Sequence, residues 1–387
     1  MPCRIAPTLS SSVVLRVPIH SLQPTIRNRC SSTAQNHYGN HRVGIKHGLP
    51  SRVSETHVAA HAQHAVGGAT PDQGTNTVKV GLYIVGWYAF NIVFNILNKS
   101  CLNVFPAPWF LATFQLCASA VFMTVLWALG LQQRPKVSKE LILALIPVAF
   151  FHTVGHVSAC VSFSQMAVSF THVVKSAEPV LSVILSQLVL KETYPLYVWG
   201  SLMPIIAGCS LAAIKEVSFS WGGFNNAMIS NLGMVLRNVY SKKYLDEFKD
   251  IDGINMFALL SIFSIFITAP VALVMEGFKG GVYQWGGMAD AATEALGGNF
   301  TLFMRMVIGS GIFYHLYNQA SYMVLGQGIS PVTFSVGNTM KRVAVVVSSV
   351  IFFQNPVSPM NWVGSMLALF GTGLYSAAKQ KASQEAK

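Results

Sequence analysis

The sequence predicts an all-α membrane protein of about ten transmembrane helices, and three observations carry that expectation. Of the 387 residues, 52% are hydrophobic and only 10% charged, with a mean hydropathy of +0.47; soluble domains hold roughly 25% charged residues. From Val78 onward, apolar stretches of about 20 residues, the length that crosses a bilayer core, follow one another with short polar breaks. A sequence pattern near the middle of the chain returns near its end, so the helices come in two sets.

Residues 1–75 stand apart. Arg4, Arg16, Arg27, Arg29, Arg42, Lys46 and Arg52 all precede the first acid, Glu55, among many Ser and Thr. Basic, Ser-rich and acid-poor composition without one apolar core is the pattern of an organelle import segment rather than a secretory signal. Seven of the eleven histidines also fall here, at irregular spacing.

The transporter-like body is expected over 76–380, with spans near 79–98, 107–131, 139–163, 166–189, 194–214, 221–245, 253–275, 301–325, 331–353 and 358–378. Pro106 and Pro108 punctuate the entry to the second, Pro135 and Lys136 that to the third, and Lys191-Glu192 divides the fourth from the fifth. The Gly-rich stretch 277–300 reads as a longer loop, and 381–387 as a polar tail. SFTHVVKSAEPVLSV leading to YPLYVWGS resembles SVGNTMKRVAVVVSS leading to SPMNWVGS. Halves of about 79–214 and 221–378 follow, each with a basic residue at a matching place, which is how many secondary transporters frame a site at the bilayer midplane.

A formal charge of +12 raises the question of nucleic acid. Long apolar runs, rather than Lys and Arg gathered on one solvated face, exclude that class. The six cysteines have no paired spacing, so neither a disulfide framework nor a metal site is signalled, and no Walker loop points to ATP. No cofactor is expected.

Lys175, Arg237, Lys341 and Arg342 lie deep inside apolar spans. A Lys or Arg at a helix centre costs at least ~2.5–3.5 kcal/mol on insertion scales, which makes such residues candidates for function. Against these four cations the spans offer one evident carboxylate, Glu178, three residues after Lys175 and close enough to pair with it. The balance stays positive and calls for an anion; an Arg fork and a Lys point charge together suit phosphate. His152, His156, His172, Tyr314 and Tyr317 supply polar groups that suit the oxygens of an organic phosphate. Lys99, Lys242 and Lys243 sit near span ends, where they can snorkel.

The segments AVSFTHVVKSAEP, AMISNLGMVLRNVYSKK, FYHLYNQASYM and SPVTFSVGNTMKRV resemble those of the plastid phosphate translocators, over about 80–378. The resemblance implies a ten-helix, inverted-repeat antiporter of the chloroplast inner envelope membrane that exchanges inorganic phosphate for phosphorylated sugars or three-carbon compounds. It implies that Lys175, Lys341, Arg342 and Arg237 clamp the phosphate, while His156, Tyr317 and the small Ala159 meet the organic part. The chain departs from the family pattern by one extra residue around 326–328. Ala159 and Phe334 stand where the triose-phosphate branch has Thr and His, so the resemblance leans to the pentose- and hexose-phosphate branches. A nucleotide-sugar transporter, or an enzyme acting on a lipid phosphate, is the alternative; the latter lacks an evident nucleophile or acid–base pair.

Overall fold

The computed structural model describes residues 77–385, apart from Lys215, 246–247, 249–250, 280–281 and 326–330. The import segment expected over 1–75, the extra residue expected near 326–328 and the side chains of Phe334, Lys242 and Lys243 lie outside the described residues.

The chain runs α1 (Thr77–Val104), α2 (Pro108–Ala128), α3 (Lys139–Gln165), α4 (Val168–Lys175), α5 (Glu178–Leu190), α6 (Leu196–Gly200), α7 (Met203–Ile214), α8 (Trp221–Leu245) and α9 (Gly253–Ala272). A π turn (Leu273–Gly277), the hairpin β1 (Phe278–Lys279) and β2 (Val282–Tyr283), α10 (Trp285–Ala295), α11 (Phe300–Leu325), α12 (Pro331–Phe353) and α13 (Pro359–Glu385) complete it. Local chemistry sets the ends. Pro108 opens α2, where a missing N–H costs nothing. The Ser138 hydroxyl accepts from Leu141 N–H at the start of α3, and Asp252 accepts from Asn255 N–H at the start of α9. Lys191, at φ 56°, closes α5 in the left-handed region.

The expected spans are present, with three differences. The fourth is two half-helices, α4 and α5, and the fifth likewise breaks into α6 and α7. The stretch 277–300, expected as a loop, holds the hairpin and α10, which meets α11 at a 113° bend. The tail expected from 381 continues α13 to Glu385, tied by a Lys381–Glu385 pair one turn apart.

Among the described residues, six segments are long and apolar enough to cross a bilayer, or seven when the bent α10–α11 pair is counted as one span. α8, α12 and α13 are as long, at 25, 23 and 27 residues. They carry polar and basic residues, Asn231, Arg237, Lys341, Arg342 and Asn361 among them, within otherwise apolar sequence. The distribution of surfaces supports membrane residence directly: Leu82, Leu143, Leu188, Phe266 and Ile351 stand out to the surroundings, while Asn91, Asn95, Gln115, His152 and Thr268 are buried. A bilayer, not water, suits that outside.

Helix pairing displays the duplication. Counting α4–α5 and α6–α7 as the fourth and fifth spans, the first packs on the eighth, the third on the sixth, the second on the seventh, the fourth on the ninth and the fifth on the tenth. Exchanging each span for the one five places on reproduces the same set. Because five spans make each half, partners under that exchange run in opposite directions, which is an inverted repeat.

The fifth and tenth spans cross at a symmetric pair of small residues. A Cβ added at Gly208 would strike Ala368 N and Gly364 O, and one added at Gly364 would strike Ala212 N and Gly208 O. Gly208–Ala212 and Gly364–Ala368 are therefore the same small-x-x-x-small motif used twice, bringing backbone against backbone. Asn361 reinforces the crossing by donating to Ala212 O at 3.1 Å. We expect Gly364→Leu to destabilise the protein by several degrees in detergent, since overpacking a tight contact costs about 1–3 kcal/mol. Gly373→Leu on the same helix, where a Cβ meets nothing within 4 Å, should leave the melting temperature unchanged.

Candidate functional site

The site grows from the break in the fourth span. A continuous helix would bond the N–H of residue 179 to the carbonyl of Lys175, but residue 179 is proline and has no N–H to give. α4 ends at Lys175 and α5 starts at Glu178. The freed Lys175 carbonyl accepts from Arg342 Nη1 at 2.7 Å, and Arg342 Nη2 donates to Glu178 Oε2 at 2.6 Å. Arg342, from α12 in the second half, thus fills the gap between two half-helices of the first. Its charge faces a carbonyl end of α4 and a carboxylate in the first turn of α5, both favourable to a cation or to each other's dipole.

The pairing of Lys175 with Glu178 expected from their spacing is not what forms. Glu178 goes to Arg342, with side chains 25% and 19% exposed, and Lys175 Nζ instead donates to Ser230 Oγ at 2.6 Å. The Ser230 hydroxyl in turn donates to Gly155 O at 2.7 Å, and Asn231 beside it donates to Val174 O at 3.1 Å. α8 approaches α3 this closely because a Cβ at Gly233 would lie 2.7 Å from Gly155 N.

Lys341 is held from the other side. Its ammonium stands 4.7 Å from the ring centre of Trp87 and 3.3 Å from Asn338 Oδ1, a cation–π arrangement. One residue on, Tyr88 donates to Gly337 O at 2.7 Å, joining α1 to α12. Lys175 against α8 and Lys341 against α1 are matching contacts of the two halves.

Arg237 belongs to a second group. Its Nη1 lies 3.3 Å from His152 Nδ1, and its Nε and Nη2 donate to Asn238 Oδ1 at 3.2 and 2.8 Å. His152 Nε2 is 3.5 Å from the Tyr314 hydroxyl, and the His152 and His156 rings lie parallel at 6.2 Å. Tyr314 packs at 4.6 Å on His156 and at 5.7 Å on Tyr317. Along α8, Arg237 is two turns, about 10 Å, from Ser230. The structure therefore brings Lys175 and Arg342 together at the broken helix, with Lys341 beside Arg342 in sequence, and sets Arg237 against His152, next to the rings of His156, Tyr314 and Tyr317. His156 Nε2 is buried without a hydrogen-bond partner among the described residues. Ala159 sits one turn further on, packed in the apolar cluster of Phe105, Leu111 and Phe163.

Several contributors had no place in the sequence reading. Asn91, Asn95 and Asn98 recur at helical spacing on α1; Asn95 Oδ1 meets His172 Nε2 at 2.9 Å and Asn98 Oδ1 accepts from Gln115 at 2.8 Å. That spacing is a visible signal. Trp87 and Ser230 carry none, because their roles depend on which helix lies opposite.

The family described as Triose-phosphate Transporter matches residues 78–376. The chain belongs to this family. It is 54% identical over 310 residues, 80% of this chain and 72% of the relative, to a chloroplastic xylulose 5-phosphate/phosphate translocator of Arabidopsis thaliana. It is 47% identical over 309 residues, 80% of this chain and 77% of the relative, to glucose-6-phosphate/phosphate translocator 2 of the same plant. A triose phosphate/phosphate translocator of Flaveria pringlei is 39% identical over 305 residues, 79% of this chain and 72% of the relative. The family is one of transporters, not enzymes.

Two further charges of this transporter turn out to be structural. Lys99, expected to snorkel, donates to Phe163 O at 2.7 Å in the last turn of α3. Glu276, a membrane carboxylate not anticipated, accepts from Trp109 and Phe110 N–H at the start of α2, both at 2.9 Å. Each satisfies a helix end. Lys99→Met is expected to cost about 1–2 kcal/mol, seen as a lower melting temperature, since a charge-assisted bond to a helix end is lost. The substrate affinity of the protein that remains folded should be unchanged.

Proposed function

We propose that the protein is an antiporter of the plastid inner envelope that exchanges inorganic phosphate for phosphorylated sugars, with a pentose phosphate as the preferred sugar substrate and hexose phosphate next. The single observation that carries this reading is the basic cluster of Lys175, Lys341 and Arg342, drawn from both halves to a broken helix inside the bundle. The names of its relatives and the order of their identities support the substrate class. The import segment over 1–75 supports the plastid, and the bilayer is its other partner.

The phosphate bridges Lys175 of the first half and Lys341 and Arg342 of the second. Trp87 and Ser230 are neutral partners that hold the two ammonium groups in place and leave their other N–H donors to a dianion, so that both contacts persist in the loaded site. His156 and Tyr317 receive the hydroxyl and carbonyl oxygens of the sugar, with Arg237 and His152 behind them; Ala159 keeps that wall small. An anion that attracts both halves stabilises the state in which they close around it, and without it the cations repel. Reorientation is then favoured when loaded, which produces exchange instead of leak.

In liposomes loaded with phosphate, Lys175→Ala and Arg342→Ala are each expected to lower exchange of labelled phosphate by at least about 100-fold, as loss of a buried charge-assisted contact implies. Exchange at the wild-type rate in either variant would remove that residue from the site. Trp87→Leu should raise the KM for phosphate by roughly 3–30-fold with the protein still folded, the worth of a desolvated cation–π contact. Competition between xylulose 5-phosphate, glucose 6-phosphate, triose phosphate and phosphoenolpyruvate should rank xylulose 5-phosphate first; a first place for triose phosphate would assign the chain to another branch.

A further inference from the structure

The first and sixth spans hold the two phosphate lysines in matching ways, and the match extends to a pair of asparagines. Setting FNILNKSCL (94–102) against RNVYSKKYL (237–245) aligns Asn95 with Asn238; carried back, it aligns Trp87 with Ser230 and Tyr88 with Asn231. Contacts confirm that register. Trp87 meets Lys341 as Ser230 meets Lys175, and Tyr88 and Asn231 each donate to a backbone carbonyl of the other half. About one turn before each lysine stand His172 and Asn338, again at matching places. In the first half His172 Nε2 lies 2.9 Å from Asn95 Oδ1. Asn95 Nδ2 is committed to Asn91 O at 2.7 Å, which turns the amide oxygen to His172 and makes the ring nitrogen the donor. The corresponding residues of the second half are not joined among the described residues: Asn338 Oδ1 accepts from Lys341, and Asn238 Oδ1 accepts from Arg237.

In an inverted repeat, exchanging the conformations of the two halves converts one access state into the other. A contact made in one half alone is then lost on switching, and its counterpart forms. Asn95 and Asn238 lie in the later halves of α1 and α8, which run in opposite directions, so the two contacts stand toward opposite faces of the membrane. We infer that Asn95–His172 and Asn238–Asn338 are alternating latches. The first closes the interior at the face where α1 ends, the second closes it at the face where α8 ends, and transport opens one as it makes the other. The apolar cluster of Phe105, Phe163 and Phe303 fills the end that the first latch closes, with the Phe163 ring 5.6 Å from that of His172. On switching, His172 leaves Asn95, and Asn338 leaves Lys341 for Asn238. Each state holds one neutral latch bond, so neither is strongly favoured and the bound substrate decides between them. This inference deepens the exchange function proposed above and rests on it.

Full-length protein in liposomes is assayed for phosphate–phosphate exchange with and without Ni2+, an ion that imidazole ligands bind well. Asn95→His gives His172 a second imidazole, and Asn238→His with Asn338→His places a pair at the other latch. Each variant is expected to lose at least about tenfold of its own metal-free exchange on adding Ni2+ and to recover on chelation, since a ligand bound to one state alone withdraws the protein from the cycle. Wild type should change by less than about twofold, and adding His172→Gln to Asn95→His should abolish the sensitivity. Exchange that ignores Ni2+ in either variant overturns the inference. In Asn95→His, a raised melting temperature with exchange intact would mark a merely structural contact; in the paired variant, indifference of both rate and melting temperature would mark residues that never meet. Should a histidine variant fail to fold or to exchange, cysteines at the same positions with a bifunctional thiol cross-linker replace it: exchange lost at both pairs supports the latches, and exchange retained at either overturns them. A wild-type protein that exchanges no phosphate would instead overturn the proposed function.

Discussion

Inside a bilayer no water is available to satisfy a stray carbonyl or a lone charge, so each must find a partner in the protein. The missing N–H of Pro179 creates such a stray group in the middle of the fourth span. The carbonyl of Lys175 loses its helical donor, and the chain answers with a guanidinium from the far half. Once Arg342 is committed there, Glu178 is drawn to it, Lys175 is released to reach Ser230, and the two halves are tied across their interface. The positions of the candidate phosphate ligands follow from how one backbone vacancy is filled.

The remaining polar interior obeys the same constraint with different means. Asn95 with His172, Gln115 with Asn98 and Ser119 with His315 pair side chain to side chain across helices. Lys99 and Glu276 look, by composition, like further members of an ion path, but each is used up by a helix terminus. Charge depth alone does not separate a ligand from a cap. The partner and the number of donors are the guide: Lys341 resting on the face of Trp87 keeps its N–H donors for an anion, and the guanidinium of Arg342 brings five donors to a place where Lys175 O and Glu178 each take one.

What was legible in the sequence and what was not divides along physical lines. Spans were legible because apolar length is itself the signal, and α8 and α12 start and stop where the pattern predicts. The stretch around α10 was not: Gly286, Gly287, Gly297 and Gly298 argue for a loop, yet Trp285, Met288 and Ala292 have an apolar cluster to pack on, and packing overrode propensity. The depth of Lys175, Arg237, Lys341 and Arg342 was legible; their partners were not, since the rotation of a helix about its axis decides them. Three residues of separation suggested Lys175 with Glu178. The proline four residues after Lys175 was the better clue, for it removes the helical turn on which that spacing rule depends.

The two halves differ where the duplication has been edited, and the edits fit each other. Aligning SFTHVVKSAEP with SVGNTMKRVAV sets Lys175 against Lys341, Ser176 against Arg342 and Pro179 against Val345. One copy thus acquired a helix break and the other an arginine at the adjacent place. Either alone is costly: a buried carbonyl without a donor loses about 1–3 kcal/mol, and an unpaired arginine in the interior loses more. Together the arginine satisfies the carbonyl and the break provides the arginine's seat. A strictly symmetric pair of halves would present one lysine from each side; this pair presents a lysine from each side and a guanidinium fixed between them, which is a fork where phosphate geometry calls for one.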